Sequence, residues 1–551
     1  MSNTRTIARN TGWFGLENII NLIVTLSTSI AIARTLGPSK MGYMVYVSTL
    51  AGFASLLGGL GIPQTTRKYM AEFIGLGDRG TARYIYVRAM LLQIALATVS
   101  TAGVMIWVLR DASAEYQVAA ALLVLSIWPA MVNFISAQAN AATEELSRNV
   151  PASLVSMLVY LVGIAATVVL QWGVVGVGAA TLAMRTTDLL VRLFPAMKRI
   201  LAWNKAHIQP EGLSRRMMSF AWQSLASLFV SLIVWNRSEV ILLKYLNSDI
   251  RQVAFYSVAF SMADQLLISS TVFGTAAGAT IFAQFGRDKS RLPEIAASSF
   301  RYLALTSIPL HFIAAALAVP ALRLLYGSKY EGASLVATLA PLLCLPKAFI
   351  GPVQNLLESM ERQRFVILAT ALAGVVDISV AWYLIRFLNP ALGAVGACIG
   401  SGAAQVTAIG VMWAIGIYLY KVKLPWMQVV KVSFISVLAA LAAHNISERM
   451  AALAAHCIPV WVAPVRGFLY GGTASLIAMR MALLWGILCG GSASVIVLFG
   501  LFYLLRVLEP EDRARFNMLS GMLPKAIAGP ANAALSLLVR DENANAISRI
   551  E

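Results

Sequence analysis

Apolar stretches of about 20 residues, each long enough to cross roughly 30 Å of hydrocarbon as a helix, recur from Trp13 almost to the C-terminus. No soluble fold tolerates that pattern. The sequence has 551 residues, of which 59% are hydrophobic and 12% charged, and its mean hydropathy of +0.74 is far above that of a soluble domain. The class is therefore integral membrane protein. The windows predict spans near 13–34, 43–62, 85–109, 118–138, 151–171 and 173–195, then near 217–243, 253–285, 300–325, 333–357, 364–388 and 391–420, and last near 427–446 and 478–506. The expected fold is an all-α integral membrane protein of about 14 transmembrane helices.

The polar start, Met1 to Asn10, runs into an apolar stretch without a small-residue cleavage site, so that stretch is expected to be the first spanning helix rather than a signal peptide. Cys344, Cys398, Cys457 and Cys489 are scattered singly and are given no role. The formal net charge of +18 sits in the loops, where a positive-inside bias and anionic headgroups account for it without a nucleic-acid partner. Arg5, Arg9, Arg67, Lys68, Arg79, Arg83, Lys198, Arg199, Lys205, Arg215, Arg216, Arg287, Lys289 and Arg291 fall in one alternate set of loops. The other set is sparse. Both termini are accordingly expected in the cytoplasm.

The first twelve spans divide into two sets of six. Glu115-Tyr116 resembles Lys329-Tyr330, Glu144 and Arg148 align at the same offset with Glu358 and Arg362, and Val177-Gly178-Ala179 is echoed by Val395-Gly396-Ala397. Repeats with an even number of helices share an orientation, so two six-helix lobes related by an axis along the membrane normal are expected, with a substrate site between them. The lobes set the boundaries: 1–196 as the N-lobe, 197–216 as a cytoplasmic linker, 217–424 as the C-lobe, 425–508 as two extra helices and 509–551 as a cytoplasmic tail. The Pro- and Gly-broken stretch from Glu448 to Thr473 suits an external loop or a re-entrant segment. The tail suits either an amphipathic helix at the headgroups or a solvated extension.

No phosphate-binding Gly-rich loop and no nucleophile, base and orienter cluster is present, so neither ATP hydrolysis nor covalent catalysis is expected of this chain. His207, His311, His444 and His456 lack carboxylates at ligand spacing, and no metal or cofactor is expected. Ionisable groups inside the spans carry the information, because each costs about 2.5–3.5 kcal/mol near the bilayer centre unless it faces an interior. Glu17, Asn21, Thr25 and Thr28 share one face of the first helix, as a cavity lining or as an interfacial acid with backbone-bonded hydroxyls. On the seventh helix Arg237 falls in one sector with Gln223, Ser227, Ser231 and Ser238, and Glu239 points to the other side. Arginine can grip a diphosphate bidentately; a structural ion pair is the other reading. Asp264 on the eighth helix is a candidate for a coupling cation or proton, or for neutralising an arginine. Lys347, with Gln354, and Asp377 are similar candidates, or together one buried salt bridge. Thr181, Arg185, Asp188 and Arg192 suit a structural ladder better than a site.

The segments Ala33-Arg34-Thr35-Leu36-Gly37-Pro38, Met41-Gly42-Tyr43, Leu60-Gly61-Ile62-Pro63 and Arg67-Lys68-Tyr69-Met70-Ala71-Glu72 resemble the opening of polysaccharide-transport flippases of the multidrug, oligosaccharidyl-lipid and polysaccharide exporter superfamily. Gly37-Pro38 is expected to turn the chain between helices one and two, and Gly61-Ile62-Pro63 to break helix two before a basic cytoplasmic loop. The resemblance implies alternating access around a cationic cavity, with Arg34, Arg237 and Lys347 as candidates, and a polyprenyl-diphosphate-linked oligosaccharide as substrate. Polysaccharide polymerase or glycosyltransferase machinery and membrane lipids would be its partners. Helix seven departs from the family pattern, which often has an aspartate near Glu239 and Gly-x-Tyr where this chain has Ala254-Phe255-Tyr256. A sodium- or proton-coupled multidrug exporter is the alternative, kept open by Glu17, Asp264 and Asp377; a non-transporting scaffold for glycan synthesis is a third.

Overall fold

The structure is a computed structural model that describes residues 2–111, 113–204, 210–285, 288–462, 471–505 and 507; side chains are not described for 2–19, 146, 275–276, 279, 283, 458–462 and 471–477. The expected tail, 509–551, and residues 463–470 lie outside the described residues, as does the side chain of Glu17. The helices run in the order α1 Ser2–Leu57, α2 Ile62–Gly75, α3 Arg79–Asp111, α4 Gln117–Leu125, α5 Ile127–Ala142, α6 Val150–Val169, α7 Gly173–Leu201, α8 Leu213–Trp235 and α9 Glu239–Leu246. They continue as α10 Arg251–Phe285, α11 Leu292–Tyr326, α12 Ser334–Cys344, α13 Ile350–Ser359, α14 Gln363–Phe387, α15 Gly393–Tyr420, α16 Trp426–Val462 and α17 Gly471–Leu504. No strand occurs among the described residues. Helices are what a bilayer demands, because hydrocarbon offers backbone groups no partner outside the segment.

Thirteen helices or helix pairs among the described residues are long and apolar enough to span. The first of them contains a break at Gly37 (φ 72°, ψ 173°) followed by Pro38, the turn that Gly37-Pro38 predicts. Counted as two, it brings the total to about fourteen. The second expected break is also present, at Leu60 and Gly61, both in the left-handed region, but the chain beyond it is helix rather than loop. Pro63 starts α2, and the basic stretch Arg67–Glu72 is helical; proline at the start of a helix loses no hydrogen bond.

Three expected continuous spans are broken. The fourth is α4 and α5, split at Ser126; the tenth is α12 and α13, joined by a 3₁₀ turn over Leu345–Phe349 that carries Pro346 and Lys347. The seventh is α8 and α9, split at Asn236–Ser238. The stretch from Glu448 is not an external loop at its start, since α16 continues as helix to Val462. Each split helix, α4–α5 and α12–α13, is followed by a glutamate in the left-handed region, Glu144 and Glu361, whereas Glu358, the residue that the sequence repeat aligns with Glu144, is still within α13.

Residues 1–261 and 370–404 form one compact unit. Its helices cross closely where glycine faces alanine: a Cβ on Gly163 would meet Ala180 at 2.9 Å, and one on Gly400 would meet Ala381 at 2.6 Å. Tyr46, Tyr86, Tyr256, Met70 and Met131 are fully buried there. On α7, Arg192 pairs with Asp188 at 2.7 Å, Asn133 donates to the same carboxylate at 2.6 Å, and Arg192 also donates to Ser153. The second unit comprises 262–369 and the described residues from 405 on. In it α16 and α17 pack tightly, with Gly486 and Gly490 against the backbone carbonyls of Ser447 and Ala443. Rings of Phe300, Phe349 and Trp413 cluster in the core of this unit, and Trp413 Nε1 donates to the Phe349 carbonyl at 3.2 Å. Apolar side chains such as Leu158, Val162 and Val169 on α6 are exposed, as a lipid-facing surface requires.

Candidate functional site

The break in the seventh span organises the most chemically loaded site of the first unit. α8 ends at Trp235, Asn236 leaves the helix, Arg237 has φ 60°, and α9 begins after Ser238. A left-handed residue that is neither glycine nor asparagine costs on the order of 1–2 kcal/mol, so packing must hold it. The consequence is a change of direction. Glu239 no longer follows the phase of α8 and turns into the interior, where it is 1% exposed. The expectation that Glu239 faces away from the polar sector is thus corrected, because the non-helical Asn236 and Arg237 reset the helical wheel.

Asp377, from the middle of α14 and fully buried, lies against Glu239, and Tyr256 of α10 and Ser401 of α15 flank the pair. Ser238 Oγ is 3.3 Å from Asp377 Oδ2 and donates to the Ile233 carbonyl at 3.0 Å. Arg237 Nη1 donates to Ser261 Oγ at 3.4 Å, one turn and a half along α10 from Tyr256. Glu239 Oε2, Asp377 Oδ1 and Tyr256 OH are all buried in this cluster, so the partners they have are one another. Buried polar atoms are nearly always paired, and two buried carboxylates cannot both carry charge side by side without a proton or a cation between them. The donor set is all oxygen, from two carboxyls, a phenol and two serines, which suits a proton or a small hard cation rather than a transition metal. No group of three or more His, Cys, Asp or Glu side chains suited to a metal occurs among the described residues.

Two of the sequence candidates, Arg237 and Asp377, meet in this cluster. Arg34 lies in the same unit, half-buried on α1 one turn before the Gly37 break. Asn21 is exposed on α1; Thr25 donates to it at 3.2 Å, and Thr28 bonds the Val24 carbonyl. Asp264 and Lys347 are half-buried and belong to the second unit, where Gln354 donates to Glu358 at 2.7 Å. Sequence reasoning missed Glu239 as a member of the site, together with Tyr256 and Ser401. The signal was there: the polar run Asn236-Arg237-Ser238 inside an apolar span marks a broken helix.

The family model described as "Polysaccharide biosynthesis protein" matches residues 7–284, about half of the chain. Comparison with curated proteins gives no match. Among solved structures, the fold is similar to that of the lipid II flippase MurJ in an inward closed conformation, at 11% identity and a TM-score of 0.66 over 90% of this chain and 99% of that one. It is similar to an inward-facing multidrug resistance MATE family transporter of the MOP superfamily, at 16% identity and a TM-score of 0.61 over 73% of this chain and 94% of that one. A MOP superfamily transporter from Pyrococcus furiosus matches at 17% identity and a TM-score of 0.51, over 76% and 95% of the two chains. At such identities the likeness is one of fold.

Proposed function

Because the chain belongs to the polysaccharide biosynthesis protein family, we propose that this multi-pass membrane transporter is a flippase for a polyprenyl-diphosphate-linked oligosaccharide. It works by alternating access in the cytoplasmic membrane, with both termini in the cytoplasm, and serves the synthesis of a cell-surface polysaccharide or glycan. The family match carries the reading. A fold similar to those of a lipid II flippase and of multidrug transporters is compatible with it.

The substrate presents a diphosphate that must leave the aqueous phase without losing its counter-charge. Arg237, which stays protonated at any relevant pH and offers a planar fork of donors, supplies that charge at the helix break; Arg34 and Lys347 are the further cationic candidates. The Glu239–Asp377 pair is the coupling element. Occupied by a proton or a small cation, it is neutral enough to remain packed; emptied, it holds two like charges in a low-dielectric interior, which favours a conformation that separates or hydrates them. Cation entry and exit thereby bias the two access states. Each elementary charge carried across 100 mV contributes about 2.3 kcal/mol. The chain acts as a carrier, with polymerase or glycosyltransferase machinery as downstream partners, and no catalytic step is assigned to it.

The same acidic pair supports a second reading, a cation-coupled multidrug exporter. Both are tested by translocation in proteoliposomes of a fluorescent polyprenyl-diphosphate sugar beside a cationic dye. Movement of the sugar lipid by the intact protein, reduced in Arg237→Ala, is the expected result. Dye movement without sugar-lipid movement overturns the flippase reading.

A further inference from the structure

The motif Arg67-Lys68-Tyr69-Met70-Ala71-Glu72 has no part in the site above, yet it is built into a second cationic structure. On α2, Arg67 and Lys68 are exposed while Thr65, Thr66, Tyr69 and Met70 of the same turns are buried. α8 approaches α2 at its first turns, and the approach is close: a Cβ on Gly61, itself at φ 72°, would stand 2.2 Å from the Ala221 carbonyl oxygen. At this crossing Lys68 Nζ sits 3.9 Å above the Phe220 ring and 5.3 Å from that of Tyr69. The Arg216 guanidinium is 5.4 Å from the Tyr69 ring, and its Nη2 donates to both Glu72 oxygens, at 3.1 and 3.3 Å. Tyr69 and Phe220 meet edge to face.

α2 and α8 thus carry the exposed cations Arg67, Lys68, Arg215 and Arg216 near their crossing, of which Arg216 pairs with Glu72; among the described residues no carboxylate pairs with Arg67, Lys68 or Arg215. Lysine and arginine side chains normally lose entropy when a ligand orders them; here rings hold Lys68 and Arg216 in advance. A second face of α8 carries Arg215, Met218 and Trp222 at spacings of three and four and lies roughly opposite the Arg216–Phe220 face, with Met218 and Trp222 exposed at 58% and 60%. The match of the junction to a ligand is one of charge, cations to a diphosphate head.

We propose that the α2–α8 junction is a loading site that captures the diphosphate head of a polyprenyl lipid before it reaches the Arg237 region. The assignment rests on the flippase reading for its choice of lipid. Its test is binding, which can fail or succeed independently of transport. Full-length protein in zwitterionic nanodiscs is titrated with undecaprenyl diphosphate, with phosphatidylglycerol and with inorganic pyrophosphate, using the wild type, Arg67→Gln/Lys68→Gln, Arg67→Lys, Phe220→Leu and Arg364→Gln. Arg364 is an exposed arginine stacked on Phe365 elsewhere and serves as the control. The double variant is expected to bind undecaprenyl diphosphate at least tenfold more weakly at an unchanged thermal midpoint, Phe220→Leu about threefold, and Arg67→Lys and Arg364→Gln close to wild type. Undiminished binding in the double variant overturns the site. An equal loss for phosphatidylglycerol reduces it to general headgroup attraction, and pyrophosphate binding as tight as the lipid's overturns the lipid assignment. Loss of lipid binding in the variants, beside a wild type that translocates nothing, leaves the site standing and removes the flippase reading.

Discussion

At the scale of single residues, the carboxylate pair is the sharpest commitment. Glu239→Gln and Asp377→Asn are each expected to keep the protein folded, since removing one of two buried like charges relieves repulsion, while uncoupling transport from an imposed cation or proton gradient. Flux measured with and without the gradient checks it; a gradient response that survives both changes removes the pair from the mechanism. Arg237 allows its two properties to be separated. Arg237→Ala and Arg237→Gly both lose the charge, but only glycine relieves the left-handed backbone, so the glycine variant is expected to be more stable than the alanine variant by about 1 kcal/mol, read as a higher thermal midpoint in detergent. Ionisable residues in apolar spans stood out in the sequence because their insertion is costly, which made Arg237 and Asp377 candidates. Glu239 was misplaced, because helical phase was carried through a break that local sequence marks only faintly.

At the scale of helices, glycine decides where backbones approach. Gly61 needs both its positive φ and its missing side chain, whereas Gly77, also at positive φ, has nothing within 4 Å of an added Cβ. Gly77→Ala is expected to cost only the backbone term, about 1–2 kcal/mol. Gly61→Ala adds a steric clash with Ala221 and is expected to lower the thermal midpoint well beyond the Gly77 variant; equal effects would mean that the α2–α8 crossing yields freely. Whole spans were legible because apolar length is a local property. Their internal breaks at Ser126 and Leu345–Phe349 were not, and the polar run at Asn236–Ser238 marked its break only faintly, because hydropathy windows average over a few polar residues.

At the scale of the whole chain, the proposed orientation rests on charge asymmetry between alternate loops. In a cysteine-free background, Ser113→Cys is expected to react with an impermeant maleimide from outside intact cells and Ser214→Cys only after permeabilisation. The reverse pattern would invert the proposed topology and with it the side on which the α2–α8 junction meets its lipid. Membrane class, the number of spans, the turn at Gly37-Pro38 and the family resemblance were all determined by the sequence by itself, because a bilayer forces each segment to satisfy its own backbone and so writes the architecture into local apolar runs. Only the tertiary structure decided that Glu239 meets Asp377, Tyr256 and Ser401, and that Lys68 and Arg216 lie on the rings of Phe220 and Tyr69. Those encounters join residues distant along the chain, and they depend on where helices break and how closely they cross, which packing between segments sets and no single segment encodes.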